Sequence, residues 1–589
     1  MKILLITPPL LQPNTPYAAT PLLTAWLRSQ GHDAVQADLS LELLLKLFSK
    51  EGLCELFQRL ESAASGQRSA ATGFLEQRAA YLETIEPVVA FLQGKSDSLN
   101  VALPEGPNLA RAYDQEEQLQ WDFRGLNGED RARHLCSLYL DDIAEAFKLA
   151  DPNFGFSRYA ESQCAAAVGF KDVLNVVTQK SMFRGKLESL ADRYIEQHAP
   201  DLVVLTVPFP GCLAGAIMTA RRMKQIQPEV NVVLGGGYVN TELRELADPQ
   251  VFDFVDFVCL DSGMIPLLRL VNGETPVRTF VREGGAVRFY EDDDTVVPHD
   301  SLPAPVLDGL PLNDCFGLFE VLNPVTRLWS DGRWNKLVLA QGCCWSRCAF
   351  CDTSIDYICR YDPASPKTIC DWMESMMAES GSNGFHFVDE ALPPDLLDGL
   401  CSEILKRGLN VEWWGNIRFE KRLGEELVRK MAHAGCIAVT GGLETCSDRT
   451  LKLMRKGITV EDASQVLRNF ADAGILTHAY LMYGFPTQTR DEVFQGLETV
   501  RGLMEEGALH SVYWHRFALT AHSEMAREPD RFEIRLLPEV RTGFARNEVP
   551  FAGNFDHNLE AVGDALRAAS YNFNLGLGFD LPVEEWFVH

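Results

Sequence analysis

No apolar run in this 589-residue chain approaches the roughly 20 residues that a membrane-spanning helix needs. The opening "MKILLITPPLLQPN" has one lysine, no small-residue cleavage site, and prolines directly after its apolar run. It reads as a first β-strand and not as a secretory leader, so a cytoplasmic protein without a membrane partner is expected. Clustered positive charge is also scarce. The 54 Lys and Arg residues stand against 82 Asp and Glu, a formal net charge of −28, and no long basic run supplies the face that a nucleic-acid backbone requires. Nucleic acid is therefore not an expected partner, and the acidity serves solubility. A disulfide framework is missing as well. The 15 cysteines are odd in number and scattered, and a reducing compartment keeps them as thiols. Cys54, Cys136, Cys164, Cys212, Cys259, Cys401 and Cys436 stand alone in apolar stretches and read as small buried hydrophobes.

What is present is ordinary globular material, 46% apolar and 23% charged, in a chain too long for one core. A strand "KILLITPP", a helix "TPLLTAWLRSQGH" ended by Gly31 and a strand "DAVQADL" make a βαβ opening. It breaks off into a helical stretch over 41–195, where Leu41, Leu44, Leu45 and Phe48, then Leu53, Leu56, Phe57 and Leu60, recur at helical spacing. "SGQRSAATG" and "ADPNFGFSRYAES" read as loops there, and nothing in the stretch carries chemistry. The alternation resumes with the near-continuous apolar strand "PDLVVLTVPFPG", the helix "LAGAIMTARRMKQIQ" and the strand "NVVLGGG". These features predict an α/β fold: a doubly wound, Rossmann-like domain over 1–305 with 41–195 as a helical insertion. Six further strand–helix units, from "NKLVLAQGCCWSRC" to "SVYWHRFAL", predict a partial (β/α)6 barrel over 306–535, followed by a partly helical extension over 536–589. The unusual residue clusters fall at the carboxyl ends of the barrel strands, the face where such barrels place their sites.

The densest cluster is "QGCCWSRCAFCD", residues 341–352. Cys344, Cys348 and Cys351 are spaced C-x3-C-x2-C in the loop after the first barrel strand. Three thiolates from one loop suit three irons of a [4Fe–4S] cube and leave the fourth iron open for chemistry. Cys343 would point elsewhere, and Phe350 would shield the cluster. A zinc site with Cys343 or Cys359 as its fourth ligand is the alternative that the residues leave open.

Residues 335–535 resemble the radical S-adenosylmethionine (SAM) enzymes. The resemblance rests on the cysteine motif and on "GGLETCSDRTLKLMRKGITVEDASQVLRNFADAGILTHAYLMYGFPTQTRDE", whose Gly-Leu-Glu and Gly-Phe-Pro elements match the fourth and fifth barrel units of that superfamily. The first domain resembles the cobalamin-binding domain that precedes the barrel in one large subgroup, through "LLITPP", "GGGYVNTELREL" and "FDFVDFVCLDSG". The resemblance implies that SAM chelates the open iron. Asp389 and Glu390 would lie near its amine, Arg418 would pair with its carboxylate, Glu444 would meet ribose or amine, and Gly484 and Pro486 would wall the adenine. The alternative for Asp389, Arg418 and Glu444 is mutual pairing as structural ions. Gly235, Gly236 and Gly237 would let a backbone approach the corrinoid's nucleotide tail, the next helix would offer it N–H groups, and Thr206 would bond it. The Asp-x-His-x-x-Gly cobalt motif is absent, and "PPLLQPNTPYAAT" contains no histidine, so cobalt would lack a protein imidazole.

Trp413, Trp414, Tyr480, Tyr483, Trp514, His478, His515 and Arg516 are expected around the substrate, with His515 and Tyr480 as catalytic candidates. The implied activity is reductive SAM cleavage, fed by an electron donor such as flavodoxin or ferredoxin, with methyl transfer to an unactivated carbon of a small molecule or peptide. Radical rearrangement, cyclisation or oxidation without methyl transfer is the alternative. A cobalamin or iron–sulfur sensor is the alternative of another class.

Overall fold

A computed structural model describes residues 1–115, 126–151, 167, 169–291, 295–546, 548–555 and 557–587. Its first sheet has seven strands: β1 (Lys2–Thr7), β2 (Asp33–Asp38), β3 (Leu202–Thr206), β4 (Asn231–Gly235), β5 (Phe257–Cys259), β6 (Thr279–Glu283) and β7 (Ala286–Tyr290). They run in the order β2-β1-β3-β4-β5-β6-β7. The first five are parallel, as a doubly wound domain requires. The antiparallel β6 and β7 extend one edge and were not foreseen. β1 is an interior strand, next to the edge strand β2, and apolar on both faces. Leu4 and Ile6 pack under the insertion, whereas Ile3 and Leu5 belong to a core that continues into the barrel.

The insertion leaves after β2 and returns at β3. Among the described residues it holds nine helices, from Leu39–Leu47 to Met182–His198. Residues 65–73, expected as a loop, are helical instead, in Ser65–Ala70 and Thr72–Glu76. The second expected loop lies outside the described residues beyond Asp151.

The second sheet begins with β8 (Trp334–Leu337). A short antiparallel pair follows, β9 (Ala340–Gln341) with β10 (Asp362–Pro363). Then come β11 (Gly384–Leu392), β12 (Glu412–Ile417), β13 (Cys436–Glu444), β14 (Leu476–Tyr483) and β15 (Ser511–Arg516). The order β15-β14-β13-β12-β11-β8 is parallel throughout, the six-stranded open barrel anticipated from the sequence. Local signals set the connecting helices. Ser365 caps Pro366–Ser380, which ends at the left-handed Gly381, and Thr459 caps Val460–Asp472.

The segment between the sheets and the carboxyl-terminal helix Leu559–Asn574 fasten to the β15 side of the barrel. Fully buried Asn323 joins them. Its amide donates to His510 O (2.9 Å) and Asn574 O (2.8 Å), and its carbonyl oxygen accepts from Val325 N (2.9 Å). The insertion grips the same segment. Ser137 Oγ accepts from Phe319 N (2.7 Å), and Arg327 pairs with buried Asp130 (2.5 Å). Asn323→Ala should orphan two buried carbonyls and remove a helix cap, costing about 3 kcal/mol. Denaturant unfolding checks this against Ser402→Ala, which loses only an exposed hydrogen bond and should change stability by about 0.5 kcal/mol or less.

Candidate active site

The cysteine loop springs from β8 and is held at several points. Asp389, at the end of β11, accepts hydrogen bonds from Leu339 N (3.0 Å) and Ala340 N (2.7 Å) and so fixes where the loop begins. Burial pushes its pKa up to about 7, partly offset by those hydrogen bonds. Gly342 sits at φ +76°, where a Cβ would fall 1.8 Å from Arg360 O, so only glycine fits. Cys343 N donates to Ile358 O (2.9 Å) and Ala349 N to Met454 O (2.9 Å). Trp345 donates to Arg455 O (2.9 Å) and lies against Gly457. The Arg418 guanidinium stacks over the Trp345 ring at 3.8 Å and donates to Lys456 O (2.9 Å).

Within this frame Cys348 is buried, and Cys344 and Cys351 are half-buried. Cys344 Sγ lies 3.3 Å from Ala391 O. The thiols of Cys348 and Cys351 bond each other, which favours the Cys348 thiolate. Cys343 does not point away as expected: its thiol bonds that of Cys344 and is driven down to about 5. Among the described residues no three His, Cys, Asp or Glu groups converge on one ion-sized point. A cube asks for a different arrangement, one thiolate to each of three irons. Phe350 packs with Ala349, Met454 and Phe485 beside the loop.

The other expected ligands have partners of their own. Asp389, Arg418 and Glu444 do not pair with one another. Asp389 and Arg418 hold the cysteine loop, so their first duty is positional. Glu444, at φ +64° on a bulge of β13, accepts from Lys456 Nζ at 2.6 Å. Lys456 is the residue that sequence reasoning missed. Burial opposes its charge, but Glu444 and the thiols of Cys348 and Cys351 outweigh burial and raise its pKa. The signal was present as a lone lysine in "MRKG" within the matched stretch, but spacing alone gave it no partner. Glu390 keeps solvent contact on β11, yet the protein around it, with Cys343 adding, raises its pKa. Gly484, at φ +74°, and buried Pro486 shape the turn after β14, and Leu559 of the last helix covers Gly484.

The inward faces of β14 and β15 carry His478, Tyr480, Tyr513 and His515 as a chain of rings. Centroids are 4.6 Å apart from His478 to Tyr480, 5.7 Å from Tyr480 to His515 and 4.6 Å from His515 to Tyr513. Burial lowers the pKa of His515, with Glu444 opposing it, and raises that of Tyr480. Trp414 stacks flat on His386 at 3.5 Å. Trp413, Trp514 and Tyr483 are core residues instead, facing the surrounding helices. They were expected in the pocket because they lie near strand ends, but strand alternation turns them outward.

In the first sheet Gly236 adopts φ +112°, and a Cβ there would come within 2.6 Å of the Val207 backbone. A Cβ on Gly237 would lie 2.9 Å from Pro208 O. Both glycines serve the close approach of this turn to β3. The helix behind them, Gly237–Glu242, has only six residues, and Tyr238 N already donates to Val207 O, so the expected row of free N–H groups is not there. Gly235 has room, its nearest neighbour being Cys259 O at 3.6 Å, and Thr206 ends β3 beside it. The carboxyl edges of the two sheets meet, since Tyr17 of the first sheet interacts with Tyr357 and Glu390 of the second. Tyr17, after β1, lies among Tyr357 of the cysteine loop, Cys212 and Glu390. Tyr357 bonds the Asn240 side chain, which accepts from Asp261 N (2.7 Å).

Residues 338–499, which contain most of this barrel and its three-cysteine loop, match the Radical SAM superfamily. The chain carries a radical SAM domain, which works with a [4Fe–4S] cluster and SAM. It is similar to an uncharacterised methyltransferase of Pyrococcus horikoshii, 24% identical over 310 residues, 51% of this chain and 64% of that protein. It is also similar to the cytidylyl-2-hydroxyethylphosphonate methyltransferase of Streptomyces wedmorensis, 23% identical over 237 residues, 39% of this chain and 43% of that one. The chain thus spans less than two thirds of the length of either relative. Among solved structures, the cobalamin-dependent SAM radical enzyme OxsB gives a TM-score of 0.49 at 16% identity, over 66% of this chain and 60% of that one. The radical SAM methyltransferase TsrM of Kitasatospora setae gives 0.47 at 18%, over 58% and 66%.

Two tests follow from the loop's frame. Cys344→Ala, Cys348→Ala and Cys351→Ala should each abolish cluster iron, whereas Cys343→Ala should retain it; iron analysis and the cluster's visible absorption read the outcome. Lys456→Met should strand the buried Glu444 carboxylate and cost about 3–5 kcal/mol, and a Glu444→Leu/Lys456→Met double variant should recover most of it. Unfolding midpoints of the three proteins decide.

Proposed function

We propose that this protein is a cobalamin-dependent radical SAM enzyme that cleaves SAM reductively and methylates an unactivated carbon of a small molecule. The observation that supports it most is the meeting of the two carboxyl edges: the β1 loop, the turn after β4 and the cysteine loop come together. In doubly wound sheets that edge is where a cofactor binds. The residues fit such a group. Gly235 leaves its strand end open, and Tyr17 and Tyr357 lie where the two edges meet.

When bound, the cluster supplies an electron to SAM and the corrinoid supplies a transferable methyl group; the protein's part is to bind, orient and exclude water. Asp389, Arg418 and Trp345 keep the cysteine loop in one position. Lys456 keeps positive charge beside the thiolates, and Glu444 and Glu390 present carboxylates to the SAM side. Tyr480 and His515 line the barrel interior where a substrate's reacting carbon would lie, with His515 neutral at pH 7 and able to take a proton. The electron comes from a partner of the flavodoxin or ferredoxin class.

The experiment is anaerobic purification with cobalamin supplied, followed by corrinoid analysis and a SAM-cleavage assay with a reductant. One corrinoid per chain and 5′-deoxyadenosine release are expected. Gly235→Val should abolish corrinoid binding while cluster iron stays full, because its Cβ meets nothing closer than 3.6 Å in the fold. Full cluster with no corrinoid in the unaltered protein overturns the methyl-transfer reading.

A further inference from the structure

A cavity of about 190 Å3 lies beside the edge strand β8, walled by the loop after β1, the segment around Leu307–Cys315, and Ser380 and Ser382. Its lower wall is apolar, with Pro21 and Leu312, and its polar side carries Arg333, Asn335 and Lys336. Two of these three are already engaged. Arg333 pairs with Glu412 (2.6 Å) and Asp331 (3.0 Å) and stacks on Trp334, and the Asn335 amide donates to Ser382 O (3.0 Å). Lys336 is half-buried, lines the cavity and makes no hydrogen bond or ion pair among the described residues. The acids near it are Asp38, whose carboxylate accepts from Leu41 N (2.9 Å) as a helix cap, and the thiol of Cys315. His386, on the adjacent strand, is kept neutral by burial and by Lys336 itself, so it offers no counter-charge.

We propose that this cavity is a second small-molecule site, in which Lys336 receives the carboxylate or phosphate group of a compact anion and Pro21 and Leu312 cover its short apolar body. A half-buried ammonium on a cavity wall without a protein acceptor is free to receive an anion, which supplies charge-assisted hydrogen bonds. Burial already pulls the Lys336 pKa down to about 8, against the weaker pull of Cys315 and Asp38, which agrees with an ammonium lacking its counter-charge. The site is separate from the cysteine loop. No residue of the cysteine loop lines this cavity, so the inference does not rest on the methyl-transfer reading.

The test uses full-length protein purified anaerobically with its cluster. Inorganic phosphate and succinate serve as probes, with chloride at equal ionic strength as the control. Brief N-acetylation followed by peptide mass spectrometry should show Lys336 protected at least fivefold by phosphate or by succinate, while exposed Lys50 is unaffected. Calorimetry should find one site for the protective anion, lost in Lys336→Met and kept in Lys336→Arg, with cluster iron equal in all three proteins. Protection by phosphate alone assigns the site to phosphoryl compounds, and by succinate alone to carboxylates. Equal labelling in all buffers, equal protection by chloride, or unchanged anion binding in Lys336→Met overturns the proposal. If Lys336→Met fails to fold, the labelling ratio in the unaltered protein decides by itself.

Discussion

Two backbone N–H groups, those of Leu339 and Ala340, leave the barrel sheet just past the end of β8, and one buried carboxylate takes both. Without Asp389 these donors would face the interior unpaired, at about 1–3 kcal/mol each. With it, the chain turns at a fixed residue, and the glycine at 342, the β9–β10 pair and the Trp345–Arg418 stack all follow in register. The cysteines are therefore placed by groups that lie outside their own motif. This is why a short loop rich in thiols can keep one geometry.

The parts of the architecture that periodicity controls were legible. β1, β3 and β4 are apolar runs between turn residues, and the barrel strands alternate with capped helices such as Pro366–Ser380. The antiparallel β6 and β7 were not, because "RTFVREGGAVRFY" is short, charged and exposed, and its hairpin glycines resemble any surface turn. The loop assigned to 65–73 failed because Ser, Gly and Ala there form a solvent-exposed helix with no apolar stripe.

The site was legible as a set of residues and much less as a set of roles. Spacing picked out Cys344, Cys348 and Cys351, and the family resemblance picked out Asp389, Arg418 and Glu444. Spacing cannot say that Arg418 lies on Trp345, since 73 residues of barrel separate them in the chain and only the closed fold brings them together. It cannot say that Glu444 meets Lys456, because a bulge in β13 and a left-handed Arg455 aim the two side chains at each other. The triple glycine carries the same lesson: Gly236 and Gly237 are needed by the protein's own backbone, and only Gly235 is left to face outward.

The insertion between β2 and β3 also shapes how the chain is made. β1 is an interior strand of its sheet, yet its second neighbour arrives only with Leu202–Thr206. During synthesis at about 5–20 residues per second, β1 and β2 must wait roughly 10–30 s with one apolar edge unpaired. A two-stranded parallel pair is marginal by itself, so the nascent sheet depends on its own helices, or on a chaperone, to cover Ile3 and Leu5 until the ribosome has delivered the strand that completes them.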